Sequence, residues 1–223
     1  MAKHSRLQVL NTIKELGLVP LFFHPDVEIA KQVVTACVEG GALFIEFTNR
    51  GDRAIEVFRE IATLRDAELP QLILGVGSVV NAATAALYMA AGADAVVSPL
   101  LDEDIARTCN SQKIPYMPGC GSVSEIHQAH LWGCEICKVF PAGEVGGPGF
   151  IKSVKAPCPW AELMPTGGVS PTQENLSAWF KAGAACVGMG SGLMTKDLLQ
   201  ARDYSGLRQK VSETLALIKQ IRA

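Results

Sequence analysis

Amphipathic and apolar stretches alternate along the chain, and a glycine usually marks the point where one gives way to the other. The segments "ACVEGGALFIEF", "YMAAGADAVVSP", "AHLWGCEICKVF" and "WFKAGAACVGMG" each read as a helix end, a glycine and an apolar strand. Glycine supplies the left-handed turn that ends many helices, and an unbroken apolar run is typical of a strand buried on both faces. This pattern predicts strands at 19–23, 43–47, 72–76, 95–98, 115–119, 135–140, 162–166 and 184–188.

Eight strands alternating with helices indicate a parallel sheet, and this number favours a closed (β/α)8 TIM barrel. The start, "MAKHSRLQVLNTIKELG", reads as an additional amphipathic N-terminal helix. We expect residues 1–223 to form a single barrel domain, because barrels of this size commonly do. An open doubly wound sheet is the alternative, but no G-x-G-x-x-G motif follows the first strand.

Several helix starts can be assigned from capping residues. "SVSE" at 122–125 is a capping box in which Ser122 caps the helix and Glu125 completes the pair. Asp102 is predicted to cap the helix that begins in "LDEDIA". In "SPTQ" at 170–173, we expect Ser170 at the N-cap and Pro171 at the first helical position.

Composition narrows the classes of protein to which the chain can belong. Hydrophobic residues make up 48% and charged residues 19% of the chain, and the net charge is −2, which fits a compact soluble protein. The chain has no long basic run, so nucleic acid is not an expected partner. No apolar segment reaches the length of a membrane span and no signal-peptide pattern opens the sequence, so we expect a cytoplasmic protein. The seven cysteines are interpreted as structural thiols, because "CEIC" has no second C-x-x-C pair.

The candidate chemistry lies at predicted strand ends, where parallel α/β folds place their active sites. Lys138 is the single cation in the apolar run "GCEICKVFPAG". It is either a Schiff-base nucleophile or a structural partner of Glu46, since burial and a neighbouring cation such as Arg50 favour the neutral amine. Glu46 is correspondingly a general acid/base or a counter-ion. Arg50 is either a clamp for a carboxylate or phosphate, or a surface arginine.

Two glycine-rich turns after adjacent strands predict an anion site. "MPTGGVSP" at 164–171 and "GMGSGL" at 188–193 both lead from a strand towards a helix, whose N-terminal amides attract anions. The alternative is two ordinary tight turns. His24 follows the first strand closely enough to border the site. His127 and His130 share one face of a predicted helix away from the strand ends, and we interpret them as packing or surface residues.

Taken together and in order, "GGALFIEFTNR", "LILGVGS", "ICKVFPA" and "MPTGGV" resemble the KDPG/KHG aldolases, over nearly the whole chain. These are 2-keto-3-deoxy-6-phosphogluconate and 4-hydroxy-2-oxoglutarate aldolases. The resemblance implies a class I aldolase that uses no metal or other cofactor, folds as a small (β/α)8 barrel and forms a homotrimer. Its products would be pyruvate with glyceraldehyde 3-phosphate, or pyruvate with glyoxylate.

The resemblance also implies roles for individual residues. Lys138 would form the Schiff base, and Glu46 would move protons through a bound water. Arg50 would hold the keto acid carboxylate. Ser78 stands where many members have threonine, and it keeps the hydroxyl. The remaining substrate-binding positions would be Phe140, Thr166, Gly167, Gly168 and Ser191, the last three holding the distal phosphate.

One departure from the family pattern concerns the phosphate, because many members carry a basic residue near the end of the first strand and "PLFFHPD" offers only His24. Three alternatives to the leading interpretation stay open. The chain could be specific for the galactonate epimer. It could be a metal-dependent, phosphate-binding isomerase or epimerase. It could also be a non-catalytic barrel that binds a keto acid or sugar phosphate.

Overall fold

Parallel strands curl around a central axis and helices cover their outer side in the computed structural model, which describes residues 2–223. The strands are β1 (Leu18–Phe22), β2 (Phe44–Thr48), β3 (Ile73–Gly77), β4 (Ala95–Val97), β5 (Tyr116–Met117), β6 (Gly119–Cys120), β7 (Ile136–Val139), β8 (Glu162–Pro165) and β9 (Val187–Met189). The helices are α1 (Arg6–Leu16), α2 (Val27–Glu39), α3 (Ala54–Glu68), α4 (Ala82–Ala90), α5 (Glu103–Ser111), α6 (Val123–Leu131), α7 (Gly147–Lys155), α8 (Gln173–Lys181), α9 (Lys196–Gln200) and α10 (Tyr204–Arg222). None of these helices combines the length and the apolar character needed to cross a membrane.

The strands close into a barrel, which confirms the predicted (β/α)8 fold over the open sheet. One sheet runs in the order β5-β4-β3-β2-β1-β9 and a second in the order β6-β7-β8. The segments β5 and β6 are the two halves of the fifth barrel strand, separated only by Pro118. A parallel bridge between Thr166 and Gly188 joins the end of β8 to β9 and completes the ring.

The predicted N-terminal helix is present as α1 and closes one end of the barrel. Its residues Val9, Leu10 and Ile13 belong to the same buried cluster as side chains inside the barrel, including Val19 and Phe44. A second, larger cluster fills the layer between the strands and the outer helices. Because α1 covers the end where the strands begin, the open end is the one where they finish.

A buried ion pair fixes the chain near the closed end. Arg65 Nη1 lies 2.9 Å from Asp94 Oδ2, and both side chains are almost fully buried. The Asp94 carboxylate also accepts hydrogen bonds from the backbone amides of Lys3, His4 and Leu74. This carboxylate is thus fully compensated by donors, as a buried charge normally is.

Two of the predicted helix caps are confirmed. The Ser122 hydroxyl accepts from the Glu125 amide, and the Glu125 carboxylate in turn accepts from Gly121 N and Ser122 Oγ. Asp102 accepts from the Ile105 amide at the start of α5.

The predicted cap at Ser170 is wrong, because α8 begins at Gln173 and Thr172 is its N-cap. The Asn175 side chain explains the difference. Its Oδ1 accepts from Ser170 N, and its Nδ2 donates to Gly168 O. These two bonds use the backbone groups of residues 168–170 in a turn, so that the helix starts only after the turn.

The cysteines are free thiols, in agreement with a structural interpretation. All except Cys158 are buried. Burial raises the pKa of Cys37 and of Cys186 to about 12, so both stay protonated at neutral pH. Within residues 2–223, no three His, Cys, Asp or Glu side chains come together as a set that could ligate a metal ion.

Candidate active site

A cleft of about 460 Å³ opens at the carboxyl ends of the strands. Its walls come from the ends of β1, β2, β7, β8 and β9 and from the segment around α9. The lining residues are Leu21, Phe22, Phe23, Thr48, Arg50, Phe140, Thr166, Gly167, Gly168, Val169, Gly188, Gly190, Ser191, Met194 and Leu199. This location agrees with the strand-end position predicted for the chemistry.

Lys138 and Glu46 lie close together at the base of this region. Each stands two residues before a residue that lines the cleft, Phe140 or Thr48, and side chains two apart on a strand share a face. Lys138 Nζ is 3.9 Å from Glu46 Oε1, and the two residues are 5% and 1% exposed. The spacing is that of an ion pair without a direct hydrogen bond.

The buried Glu46 carboxylate differs from that of Asp94, which is surrounded by hydrogen-bond donors. Neither Oε1 nor Oε2 has a hydrogen-bond partner within the described residues, and the same holds for Thr166 Oγ1. An unsatisfied buried polar group costs about 1–3 kcal/mol. Such groups are uncommon in folded proteins and each one requires an explanation. Three of the four such atoms within the described residues belong to Glu46 in β2 and to Thr166 just after β8, and the fourth is Nε1 of Trp179 on α8. Two polar side chains near the strand ends thus lack partners, which favours a role in chemistry over a role in stability.

Glycines leave the room that these side chains occupy. A Cβ atom at Gly77 would collide with the Glu46 carboxylate, and one at Gly188 would collide with Thr166 Oγ1. Gly119 is paired with Lys138 across the sheet, and a Cβ atom there would collide with the Pro99 carbonyl. Gly188 lies in the glycine-rich turn at 188–193 that was predicted as part of the site, whereas Gly77 and Gly119 were not predicted. Glycine inside a buried strand is the signal that could have found them, because it often marks a close approach.

Phe140 completes the surroundings of the lysine. The Lys138 ammonium group lies 5.2 Å from the centroid of the Phe140 ring, within the range of a cation–π contact. The ring also lines the cleft, as expected for a substrate-packing residue.

Arg50 lies at the β2 side of the cleft, exposed to solvent. Its Nε donates to Ser78 Oγ at 3.3 Å, so the two predicted carboxylate-binding residues are brought together. Ser78 itself does not line the cleft and has a left-handed backbone, with φ of 59°. An arginine with one weak hydrogen bond keeps most of its donors available for a ligand.

Gly167, Gly168 and Ser191 all line the cleft, which supports the predicted grouping of the two turns. Gly167 and Gly168 have φ of 91° and 76°, a conformation that glycine adopts without strain. The helices behind them differ from expectation. Since α8 begins at Gln173 and the short α9 at Lys196, neither helix N-terminus directly follows its glycine turn.

Other parts of the cleft were not predicted. Phe23, Met194 and Leu199 form an apolar wall, and the α9 helix that carries Leu199 is too short to show a helical period. His24 does not line the cleft, and its Nδ1 instead accepts from the Asp26 amide at 3.1 Å.

His127 and His130 lie on α6, as expected, and do not line the cleft. Burial and the neighbouring His127 lower the pKa of His130. Both observations fit the interpretation of the two histidines as packing or surface residues.

The chain is similar to known proteins over most of its length. A family model described as KDPG and KHG aldolase matches residues 9–210. The 2-dehydro-3-deoxy-phosphogluconate aldolase of Pseudoalteromonas atlantica is 33% identical over 218 residues, which cover 97% of this chain and 98% of that protein. The KHG/KDPG aldolase of Escherichia coli K12 is 32% identical over 198 residues, which cover 89% and 90% of the two chains.

The similarity extends to solved structures. The KDPG aldolase of Legionella pneumophila was solved with pyruvate captured at low pH as a covalent carbinolamine intermediate. That chain is 25% identical to this one, with a TM-score of 0.81, and the match covers 90% of this chain and 95% of the other.

Proposed function

The chain belongs to the KDPG and KHG aldolase family, and on that premise we propose that it is a class I aldolase, a carbon–carbon lyase. Its substrate would be 2-keto-3-deoxy-6-phosphogluconate, cleaved reversibly to pyruvate and glyceraldehyde 3-phosphate. Cleavage of 4-hydroxy-2-oxoglutarate to pyruvate and glyoxylate would be a second activity of the same site. The observation that carries this proposal is the buried Lys138–Glu46 pair at the strand ends, with no hydrogen-bond partner for the carboxylate within the described residues.

In this proposal the Lys138 amine attacks the C2 ketone, and the carbinolamine that forms loses water to give a protonated imine. Glu46 then takes the proton of the C4 hydroxyl through a water that bridges the carboxylate and this hydroxyl. The C3–C4 bond breaks, the aldehyde leaves, and the bonding electrons move into the imine to give an enamine. Protonation at C3 and hydrolysis release pyruvate and restore the amine.

The other predicted residues fit the ends of such a substrate. Arg50 would hold the carboxylate with help from Ser78, and Thr166 and Phe140 would line the pyruvate end. The distal phosphate would lie at Gly167, Gly168 and Ser191. Of the described residues that line the cleft, Arg50 alone carries a charged side chain. The phosphate would therefore be held by neutral donors, which fits a site that also accepts a substrate without phosphate.

The activity can be tested by coupling pyruvate release to lactate dehydrogenase. We expect pyruvate from 2-keto-3-deoxy-6-phosphogluconate at a rate that EDTA does not change, because the proposed electron sink is the Lys138 imine. The galactonate epimer and 4-hydroxy-2-oxoglutarate complete the panel. A rate abolished by EDTA would favour a metal-dependent enzyme. Calorimetric binding without turnover of any substrate would favour a binding protein.

We further infer that residues 1–223 form one barrel domain and that the barrel assembles as a homotrimer. Val80, Leu100 and Val123 each follow a barrel strand by three residues, after β3, β4 and β6, and are 50%, 40% and 46% exposed. These strands are neighbours in the barrel, so the three side chains belong to one sector of its rim. Exposed apolar side chains grouped in this way are typical of protein–protein contacts.

Light scattering tests the assembly. We expect a mass three times the 23.8 kDa of the chain, and a lower mass when Leu100 is replaced by aspartate, because a charge at an apolar contact opposes association. As a matched control, Leu131→Asp places the same charge on an exposed leucine of α6. A wild-type mass of one chain would contradict the proposal.

A further inference from the structure

The loop that carries Arg50 joins β2 to α3. Gly51 and Arg53 both have left-handed backbones, and Arg53, the N-cap residue of α3, makes no side-chain capping bond. Arg50 is exposed, and within residues 2–223 its side chain makes one hydrogen bond, to Ser78 Oγ at 3.3 Å. The direction in which this guanidinium points therefore depends on how firmly its neighbours in the chain are held.

Asn49 is the neighbour that is held firmly. Its backbone amide donates to the Gly77 carbonyl at 2.8 Å, which ties it to β3. Its side-chain Oδ1 accepts from the Tyr88 hydroxyl, also at 2.8 Å. Tyr88 belongs to α4, 39 positions further along the chain, so this contact joins the Arg50 loop to the outer helix layer.

Tyr88 is well suited to act as a fixed donor. It is 1% exposed, and its ring packs edge to face on Phe58, with 5.0 Å between the ring centroids. Burial raises the pKa of Tyr88 to about 12, so its hydroxyl keeps its proton at neutral pH. A donor on a rigid helix can hold the Asn49 amide in one orientation.

We propose that Tyr88 is a positioning residue for substrate binding, acting through Asn49 to hold the Arg50 loop in place for the substrate carboxylate. This inference rests on the proposed function, in which Arg50 binds that carboxylate. Tyr88 does not line the cleft, and the proposal assigns it no contact with substrate. Its effect is expected on substrate affinity and not on the chemical step.

The substitution Tyr88→Phe tests the proposal, because it keeps the ring and removes only the hydroxyl. We expect the KM for 2-keto-3-deoxy-6-phosphogluconate to rise about fivefold, the worth of one net hydrogen bond, with kcat within about twofold of wild type. Tyr116→Phe is the matched control. Tyr116 is equally buried, and its hydroxyl donates to the Leu100 carbonyl at 3.0 Å, outside the Arg50 loop. It should lose similar thermal stability without a change in KM.

Arg50→Ala separates this proposal from the proposed function. We expect Arg50→Ala to raise KM strongly, and Tyr88→Phe to add nothing in that background, because the two act along one path. A KM for Tyr88→Phe no higher than that of Tyr116→Phe, with Arg50→Ala still impaired, would overturn the positioning role alone. An unchanged KM for Arg50→Ala would overturn the carboxylate role on which it rests.

Discussion

Replacing Lys138 with methionine reduces pyruvate release by at least about four orders of magnitude, the loss expected when the nucleophile of a covalent mechanism is removed. Methionine has a similar length and no amine, so it can fill the space without forming an imine. The measurement is the coupled assay with 2-keto-3-deoxy-6-phosphogluconate at saturating concentration. Activity within about tenfold of wild type would contradict the role proposed for Lys138.

Two control variants distinguish the loss of the nucleophile from a folding defect. Lys152→Met makes the same exchange at an exposed lysine of α7 and should retain wild-type activity. Lys138→Arg keeps a cation beside Glu46 but has no nucleophilic amine, so it should be as inactive as Lys138→Met. Circular dichroism and thermal melting show whether each variant has folded.

Replacing Glu46 with glutamine has the second largest expected effect. We expect kcat to fall by about 10²- to 10⁴-fold, the usual contribution of a general acid/base, because an amide of the same shape cannot take the proton of the C4 hydroxyl. The nucleophile stays in place in this variant, so pyruvate should still be trapped on Lys138. Single-turnover kinetics would locate the loss in the cleavage step.

Glu144→Gln is the matched control for this exchange. Glu144 is an exposed carboxylate a few residues beyond β7, and its loss should leave kcat unchanged. If Glu46→Gln retained more than about half of the wild-type kcat, the carboxylate would be only a counter-ion for Lys138.

The barrel and the proximity of Lys138 and Glu46 could be predicted because both follow from local pattern. Glycine after four of the helices and apolar runs of strand length located the strands to within about three residues at each end. The position of Lys138 and Glu46 late in two such strands was then enough to bring them to one end of a parallel barrel. The fifth strand was predicted as continuous, whereas Pro118 divides it, since proline lacks the amide that a ladder needs.

What the sequence did not predict depends on contacts between distant residues. The start of α8 was misplaced because the Asn175 side chain engages Gly168 and Ser170, which no capping pattern indicates. The contact between Tyr88 and Asn49 joins α4 to the end of β2. The sequence around neither residue contains a pattern that predicts this contact. The room that Gly77 leaves for Glu46 likewise appears only when two strands are paired.

Trapping of the Schiff base tests the central claim most directly. The protein is incubated with excess pyruvate, reduced with sodium borohydride, digested and sequenced by mass spectrometry. A reduced pyruvate adduct on Lys138, absent without pyruvate and absent from the Lys138→Met variant, is the result that the proposed mechanism predicts. Folded protein that yields no adduct, or carries it on a different lysine, would contradict the assignment of Lys138 as the nucleophile of a class I aldolase.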